Sequence, residues 1–382
     1  MKLLSLKTYN TNTKIKINKI DFQPFSLLVG ASGVGKTQIL DAINNLRQIS
    51  QGNPKSGFSW EVEFEIDSTP YYWSGEYGEV EGDNVNNPLI SFHIFGNDEE
   101  EIKPVILHEK LIVSGKEIIS RDGEDIFFKG EAIVKLDPSE SAINLLKQEL
   151  EIAVVKKAFN KIISTTRNDF GFAYIGFIKR SKEYDADISS VEELRDNDFA
   201  LPIKMYVCQE KLPVYFQQII DTYIDIFPFV EGVMIEKYEE DMSPRGYLAF
   251  NVRVKERGIE HWINQDSMSS GMIKTFYQIA YLYLCSKGTV FLIDEFENGF
   301  GVNCINDITD VLMNTGDGMQ FIITSHHPYI INNVPIDNWK IISRKAGEIK
   351  SYDANEFKLK ESNHEAFTKL INLDVYSYGA DI

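Results

Sequence analysis

Residues 30–37 match the pattern GxxxxGK[ST] and read Gly30-Ala31-Ser32-Gly33-Val34-Gly35-Lys36-Thr37. An apolar run precedes them at residues 27–29, and a stretch with helical spacing follows at residues 37–46. This strand–loop–helix context is what the pattern requires before it indicates a phosphate-binding loop. The glycines let successive backbone N–H groups surround a phosphate, and the following helix N-terminus adds partial positive charge. The chain is therefore predicted to bind a nucleoside triphosphate.

Two side chains of this loop have specific predicted roles. Lys36 is expected to reach the β- and γ-phosphates, and the hydroxyl of Thr37 is expected to ligate Mg²⁺. The residues expected to contact the nucleotide are Gly30, Ala31, Ser32, Gly33, Val34, Gly35, Lys36, Thr37 and Gln38.

A second element of the predicted site follows the apolar run at residues 289–293. A short continuous run of this kind is typical of a buried parallel strand. Asp294 and Glu295 come directly after it, and ligands in open α/β sheets bind at the carboxyl ends of strands. We expect Asp294 to hold Mg²⁺ through water and Glu295 to orient or deprotonate an attacking water. The alternative is an acidic turn that caps the next helix.

Two further elements lie on either side of this Asp-Glu pair. Ser269-Ser270-Gly271 precedes a helical pattern at residues 273–284, where it would cap the helix and present N–H groups to a phosphate. By itself, such a sequence most often only caps a helix. The apolar run at residues 319–324 predicts another buried strand, and its end would place His326 near a γ-phosphate.

These four elements, in this order, resemble the ABC-type ATPase heads of the SMC, RecF and OLD families. Residues 293–300 look like the DExENG element of the OLD-like branch, and residues 321–331 look like its switch region. The resemblance covers residues 1–50 and 255–345. It implies an α/β fold, namely a P-loop NTPase head of the ABC type with an inserted mixed α/β lid or arm domain, and ATP and Mg²⁺ as cofactors.

The resemblance also implies roles for individual residues. Lys36 and Thr37 would bind phosphate and Mg²⁺, and Asp294 would support Mg²⁺. Glu295 would be the catalytic base, and His326 would sense the γ-phosphate. The residues expected to contact the nucleotide of a second subunit, in a homodimer that sandwiches ATP between its heads, are Ser269, Ser270 and Gly271.

The sequence departs from the family pattern at two points. Gly301 and Val302 follow Phe300 where the family often has His-Pro, which affects how two heads would communicate. The glutamine of the Q-loop is also not assigned, because Gln148 and Gln209 are both candidates.

Composition narrows the functional classes. The chain has 382 residues, 43% of them hydrophobic, which is enough for a sizeable core. We expect a cytoplasmic protein without membrane association, since no apolar run reaches membrane-spanning length and the three cysteines show no disulfide or metal spacing. The net charge of −18 argues against a large nucleic-acid surface, so nucleic acid would be reached through a complex.

The chain divides into four predicted segments. Residues 1–80 would form the N-terminal lobe of the head and residues 251–345 its C-terminal lobe. Residues 81–250 would be an inserted β-rich and helical region that binds a partner, and residues 346–382 a tail. Within these segments we expect a helix or short hairpin at 139–164, a charged loop at 180–198, and a helical apolar face for a partner formed by Phe367, Leu370, Ile371 and Leu373.

Three functional hypotheses remain open at this point. The leading one, by resemblance to small OLD-like and Septu-type ATPases of antiphage systems, is an ATPase that regulates a separate effector, such as an HNH or TOPRIM nuclease. The second is a RecF-like DNA repair clamp, which should show broad basic stripes. The third is a weakly hydrolysing scaffold, against which the presence of both Glu295 and His326 argues.

Overall fold

A computed structural model describes most of the chain. The described residues are 1–80, 102–165, 178–179, 187–238, 247–298, 300, 302–315, 318–357, 363–373 and 376. Most of the acidic stretch at 75–101 and the first part of the charged loop predicted at 180–198 lie outside this described part, as do Gly299 and Gly301.

Nineteen strands and ten helices make up the described structure. The strands are β1 (Lys2–Asn10), β2 (Ile15–Asp21), β3 (Phe25–Val29), β4 (Phe58–Ile66), β5 (Thr69–Tyr77), β6 (Ile106–Val113), β7 (Lys116–Asp122), β8 (Asp125–Phe128), β9 (Glu131–Ala132), β10 (Ile162–Thr165), β11 (Ile178–Lys179), β12 (Val230–Lys237), β13 (Tyr247–Leu248), β14 (Phe250–Glu256), β15 (Ile263–Asn264), β16 (Val290–Ile293), β17 (Gln320–Thr324), β18 (Trp339–Lys345) and β19 (Glu348–Asp353). The helices are α1 (Lys36–Ser50), α2 (Ala142–Leu145), α3 (Leu150–Asn160), α4 (Val191–Asp196), α5 (Leu201–Lys211), α6 (Pro213–Ile226), α7 (Ser270–Leu284), α8 (Val302–Thr315), α9 (Pro328–Asn333) and α10 (Asn363–Ile371).

One large mixed sheet organises the fold. Its described strands follow the order β10-β16-β17-β3-β18-β19-β2-β1-β4-β5-β6-β7-β8-β9. The first five strands are parallel, and β1 with β4 to β9 form an antiparallel extension. Two small sheets, β11-β13 and β12-β14-β15, complete the described strands. The fold is thus α/β, as the sequence predicted.

The parallel strands lie in the centre of the molecule because they are apolar on both faces. Every residue of β3, β16 and β17 is buried. Successive side chains of a strand point to opposite faces, so Leu27 and Leu28 enter two different hydrophobic clusters. One cluster also holds α5, α6, α7 and α9, and the other holds α1, α3 and the apolar face of the antiparallel strands. Because these strands are buried on both faces, their carboxyl ends, which lead into the predicted site residues, are held in place.

The predicted segment boundaries at residues 80 and 250 do not coincide with boundaries of the sheet or the core. Residues 106–132 extend the sheet beyond β5, and β10 pairs in parallel with β16. Helices α5 and α6 share a hydrophobic cluster with α7. The middle region therefore contributes strands and core residues directly to the head.

Two local expectations need correction. The helix or short hairpin predicted at 139–164 is correct only in part: two helices, α2 and α3, form there, but the last residues form β10. Ile162 is fully buried beside the parallel strands, and this tertiary contact overrides its helical spacing. Part of the loop predicted at 180–198 forms α4, whose N-cap Ser190 accepts a hydrogen bond from the Glu193 N–H.

The tail also differs from expectation. Leu370 is completely buried, and Phe367 and Leu373 pack against the same hydrophobic cluster, while Ile371 is 40% exposed. Helix α10 contacts α9 within the chain. The apolar face that was predicted to dock a partner is thus covered by the head itself. No helix in the described part of the chain has the length and apolarity to span a bilayer.

Candidate nucleotide-binding site

The strand order brings three of the four sequence elements to one edge of the sheet. β17 lies between β3 and β16, and all three run in parallel. The phosphate-binding loop follows the carboxyl end of β3, Asp294 follows that of β16, and Ser325 follows that of β17. Elements that are almost 300 residues apart in sequence therefore meet at the edge where open α/β sheets bind ligands.

The backbone of the loop has the conformation that only glycine adopts easily. Gly33 and Gly35 have φ angles of +84° and +102°. A Cβ atom at Gly35 would collide with the side chain of Ile349, so this position also lacks space for a side chain. Gly35 precedes the first turn of α1, whose buried residues Ile39, Ile43 and Leu46 anchor the helix below the loop.

Lys36 is held inside the loop. Its side chain is largely buried, and Nζ donates hydrogen bonds to the carbonyl oxygens of Gly30 at 2.8 Å and Ala31 at 2.9 Å. Burial lowers the pKa of Lys36 to about 8, and the carboxylates of Asp294, Glu297 and Glu295 oppose this shift. Phosphate oxygens would be stronger acceptors for this ammonium group than the two carbonyls.

Thr37 and Asp294 are in direct contact. The Thr37 hydroxyl donates to Asp294 Oδ2 at 2.9 Å and lies 3.2 Å from Oδ1. Thr324, at the end of β17, donates its own hydroxyl to Asp294 Oδ1 at 2.7 Å and accepts the Glu295 N–H at 2.7 Å. Thr324 was not among the predicted site residues, although a hydroxyl residue at the end of the strand before the predicted switch was a usable signal.

Glu295 has a left-handed backbone with φ of +47°. Such a conformation costs about 1–3 kcal/mol for a residue other than glycine and persists only where its surroundings enforce it. Here the Thr324 side chain binds the N–H of Glu295, and the Thr324 carbonyl accepts the Phe296 N–H at 2.9 Å. The turn that carries the predicted base is therefore held by the neighbouring strand.

The two adjacent histidines have different surroundings. The backbone N–H of His326 donates to Glu297 Oε1 at 2.8 Å. Burial and the charge of Lys36 lower the pKa of the His326 imidazole, against the raising effect of the nearby carboxylates. His327 instead caps α9, because its Nδ1 accepts the Tyr329 N–H at 3.3 Å. Glu297, which accepts the His326 N–H, was not among the predicted site residues either.

The Ser-Ser-Gly element lies apart from this cluster of contacts. Ser269 caps α7 by accepting the Met272 N–H at 3.2 Å, and both Ser269 and Ser270 are exposed. Among the described residues, no hydrogen bond joins Ser269, Ser270 or Gly271 to the phosphate-binding loop.

Lys274, in the first turns of α7, nevertheless reaches the segment after Asp294. Its Nζ donates to the carbonyls of Asn298 and Phe296 and lies 4.4 Å from the centre of the Phe300 ring. The exposed N-terminus of α7 is thus joined to the loop that carries Glu295. No pattern in the sequence had singled out Lys274.

The residues present fit a nucleotide with Mg²⁺. Among the described residues, the buried Oε1 of Gln38, which lies close to Gly35, has no hydrogen-bond partner, so an acceptor oxygen at the phosphate-binding loop is left without a donor there. The oxygens of Thr37 and Asp294 are hard ligands of the kind that Mg²⁺ prefers. Within the described part of the chain, no group of three or more His, Cys, Asp or Glu side chains could hold a metal by itself. Any Mg²⁺ here would therefore need phosphate oxygens and water as well.

Neither candidate for the Q-loop glutamine belongs to this site. Gln209 exchanges two hydrogen bonds with the backbone of Ile235, at 3.1 Å and 2.7 Å, and so fastens α5 to β12. Gln148 lies exposed between α2 and α3.

The fold and the loop–strand arrangement define a P-loop nucleotide-binding domain. A sequence profile for the family described as "AAA domain, putative AbiEii toxin, Type IV TA system" matches residues 25–332, and the chain belongs to this family. The match includes the phosphate-binding loop, Asp294, Glu295 and His326. No curated protein gives a significant match.

Several solved structures are similar to this chain at low identity. An Smc head bound to the C-winged helix domain of ScpA is 15% identical, with a TM-score of 0.48, over 92% of this chain and 97% of that chain. An Smc head with an extended coiled coil, bound to the C-terminal domain of ScpA derived from Pyrococcus furiosus, is 15% identical, with a TM-score of 0.49, over 94% and 98%. The SMC head domain from Thermotoga maritima is 11% identical, with a TM-score of 0.43, over 92% and 99%.

Proposed function

We propose that this protein hydrolyses ATP as a nucleotide-dependent homodimer and thereby regulates a separate effector. The observation that carries the hydrolysis proposal is the connected set of Thr37, Asp294, Thr324 and Glu295. It joins the loop that would bind the phosphates to the turn that carries a candidate base. A loop that bound phosphate only for structural purposes would not need a carboxylate in this position.

In the proposed mechanism, the phosphate-binding loop surrounds the phosphates with N–H groups, and Lys36 exchanges its two carbonyl acceptors for phosphate oxygens. Thr37 and Asp294 are the residues that would hold Mg²⁺, which when bound neutralises charge on the phosphates. Glu295 orients and deprotonates the attacking water. His326 lies at the end of the neighbouring strand and would contact the γ-phosphate.

The homodimer proposal depends on the exposed N-terminus of α7. Ser269 and Ser270 are open to solvent and have no hydrogen bond to the phosphate-binding loop of their own chain among the described residues. Helix N-termini bind anions well. A second head could place its nucleotide against this end of α7, and Lys274 would connect that contact to the Glu295 loop.

The regulatory role is proposed because the described part of the chain offers no metal cluster for a nuclease of its own. No metal-binding group of three or more acidic, His or Cys side chains occurs among those residues. The net charge of −18 also disfavours the RecF-like clamp, which needs to grip DNA directly. We propose that the effector is a separate nuclease in antiphage defence.

ATP turnover and light scattering test this proposal together. Glu295→Gln should keep ATP binding and lose turnover, whereas Lys36→Ala should lose binding. With ATP and Mg²⁺, Glu295→Gln should accumulate as a dimer, and adding Ser270→Arg should abolish the ATP-dependent association by steric block. Ser114→Arg is a matched control, since Ser114 is exposed in the distant β6–β7 turn.

The outcomes separate the parts of the proposal. Wild-type turnover in Glu295→Gln would remove Glu295 from its role. A dimer that ignores both nucleotide and Ser270→Arg would refute the nucleotide-sandwiched dimer but leave the ATPase assignment intact. Robust DNA cleavage by the purified single chain with Mg²⁺ or Mn²⁺, lost on mutation of carboxylates in residues 102–238, would overturn the separate-nuclease proposal.

A further inference from the structure

The carboxylate of Glu297 connects two loops that follow neighbouring strands. Glu297 lies in the segment after β16, and its Oε1 accepts the backbone N–H of His326, which follows β17, at 2.8 Å. A carboxylate that accepts a backbone N–H makes a charge-assisted hydrogen bond, stronger and shorter than one between neutral groups. This bond fixes the main chain at the residue whose imidazole is proposed to sense the γ-phosphate.

The other described contacts between these two segments are made at the end of β17, before His326. Thr324 binds Asp294 and the N–H groups of Glu295 and Phe296, and it is the last residue of β17. Beyond that point, the hydrogen bond from His326 to Glu297 links the two segments. The backbone of His326 is therefore held in part by a side chain that does not belong to its own loop.

The second carboxylate oxygen of Glu297 is placed unusually. Oε2 is buried and has no hydrogen-bond partner among the described residues. Glu297 faces Lys36 on α1, Lys274 on α7 and the imidazole of His326, and its negative charge raises the pKa of all three groups against the larger lowering effect of burial. Glu295 and Asp294 add like charge on the same segment. An unpaired carboxylate oxygen in such a place is costly, and this points to a role for the side chain that offsets the cost.

We infer that Glu297 is a positioning residue, which holds the backbone of His326 so that the imidazole meets the γ-phosphate in the geometry that hydrolysis needs. This inference rests on the proposed ATPase function and deepens it. Glu297 acts through His326 and makes no contact with the phosphates. Because a misplacement of about 1 Å in a reacting geometry can cost on the order of 100-fold in rate, loss of this bond should affect turnover and leave nucleotide binding unchanged.

Three variants test the inference in the full-length protein. Glu297→Ala should lower kcat about 10- to 100-fold and leave the KM for ATP within about twofold. Glu297→Gln keeps a carbonyl oxygen that can accept the His326 N–H, so it should recover a clear part of kcat. Asp310→Ala is the matched control, because Asp310 is an exposed carboxylate on α8, and it should retain the wild-type kcat.

Hydrogen–deuterium exchange of a peptide that spans residues 325–331 gives a readout that does not depend on turnover. Exchange there should rise in Glu297→Ala, fall back towards the wild-type rate in Glu297→Gln, and stay unchanged in Asp310→Ala. Unchanged exchange in Glu297→Ala would overturn the inference, whether or not the wild type hydrolyses ATP. A wild type that hydrolyses no ATP would refute the proposed function and not this inference. An active wild type whose Glu297→Ala variant keeps its kcat, or loses ATP affinity in parallel with kcat, would overturn it as well. Should Glu297→Ala not fold, Glu297→Gln is compared with a folded Glu297→Asp variant, whose shorter side chain should not reach the His326 N–H. Equal kcat and equal exchange in these two variants would also overturn the inference.

Discussion

The Thr324 hydroxyl lies 2.7 Å from Asp294 Oδ1 and donates a hydrogen bond to it. The Thr324 hydroxyl oxygen also accepts the N–H of Glu295 at 2.7 Å, and Oδ2 of Asp294 accepts the Thr37 hydroxyl at 2.9 Å. One hydroxyl thus orients both the predicted Mg²⁺-supporting residue and the backbone of the predicted base.

Replacing Thr324 should therefore damage turnover more than folding. Thr324→Val keeps the shape of the side chain but leaves the Glu295 N–H without its acceptor, and loss of such a bond costs about 1–3 kcal/mol. Because a misplacement of about 1 Å in a reacting geometry can cost on the order of 100-fold in rate, we expect kcat to fall by about 10- to 100-fold. Thr324→Ser retains the hydroxyl and should keep most activity. The steady-state kcat of both variants is the measurement, and equal kcat for Val and Ser would contradict the expectation.

Alanine substitutions of the two histidines in the predicted switch should have different effects, one on ATP turnover and the other on stability. His326→Ala should slow hydrolysis, because it removes the imidazole placed beside Lys36 and the carboxylates. His327→Ala removes the cap of α9 and should cost about 1 kcal/mol of stability. Turnover at saturating ATP, together with thermal denaturation, distinguishes them. If His327→Ala slowed hydrolysis and His326→Ala lowered stability instead, His327 and not His326 would be the residue at the γ-phosphate.

Binding of ATP should weaken as the pH rises above the pKa of Lys36. Burial lowers that pKa to about 8 in the free protein, and anionic phosphates would raise it in the complex. Between these two values the free protein binds fewer protons than the complex, so ATP binding takes up a proton and affinity falls with increasing pH. Calorimetry at about pH 9 in buffers of different ionisation enthalpy measures this uptake. Proton release on binding, or none, would contradict it.

Much of the site was predictable because its residues follow strong local patterns. The strand at residues 290–293 and the helix that begins near Thr37 have the spacing and apolar content that the structure uses. Thr324 and Glu297 could not be ranked from spacing, since their importance arises from the parallel order β3-β17-β16, which places segments distant in sequence side by side. Lys274 carries no sequence signal, because its burial depends on how α7 packs over the loop after Asp294.

The fold was predicted less well where tertiary contacts override local pattern. Residues 139–164 have apolar residues at mixed spacing, but the last of them complete the parallel sheet as β10. The antiparallel strands β6 to β9 were expected in an insertion and instead continue the main sheet from β5. Single-sequence spacing cannot tell which sheet a strand joins, since that depends on pairing with residues far away in the chain.

The tail supplies the last prediction, because its buried face changes what a truncation should do. Leu370 is fully buried in the cluster that also contains Ile330 and Ile331 of α9, the helix directly after His327. Leu370→Ala should destabilise the protein by about 2–5 kcal/mol through lost burial and a cavity. Ile371→Ala is the matched aliphatic control: Ile371 is 40% exposed, and its loss should cost less than about 1 kcal/mol. Denaturant unfolding of both variants measures the difference.

Deletion of residues 355–382 should likewise expose α9 and lower ATP turnover together with stability, whereas a tail that only docks a partner would leave both unchanged. Equal stability of Leu370→Ala and Ile371→Ala, with full turnover in the deletion, would restore the tail as a candidate partner site.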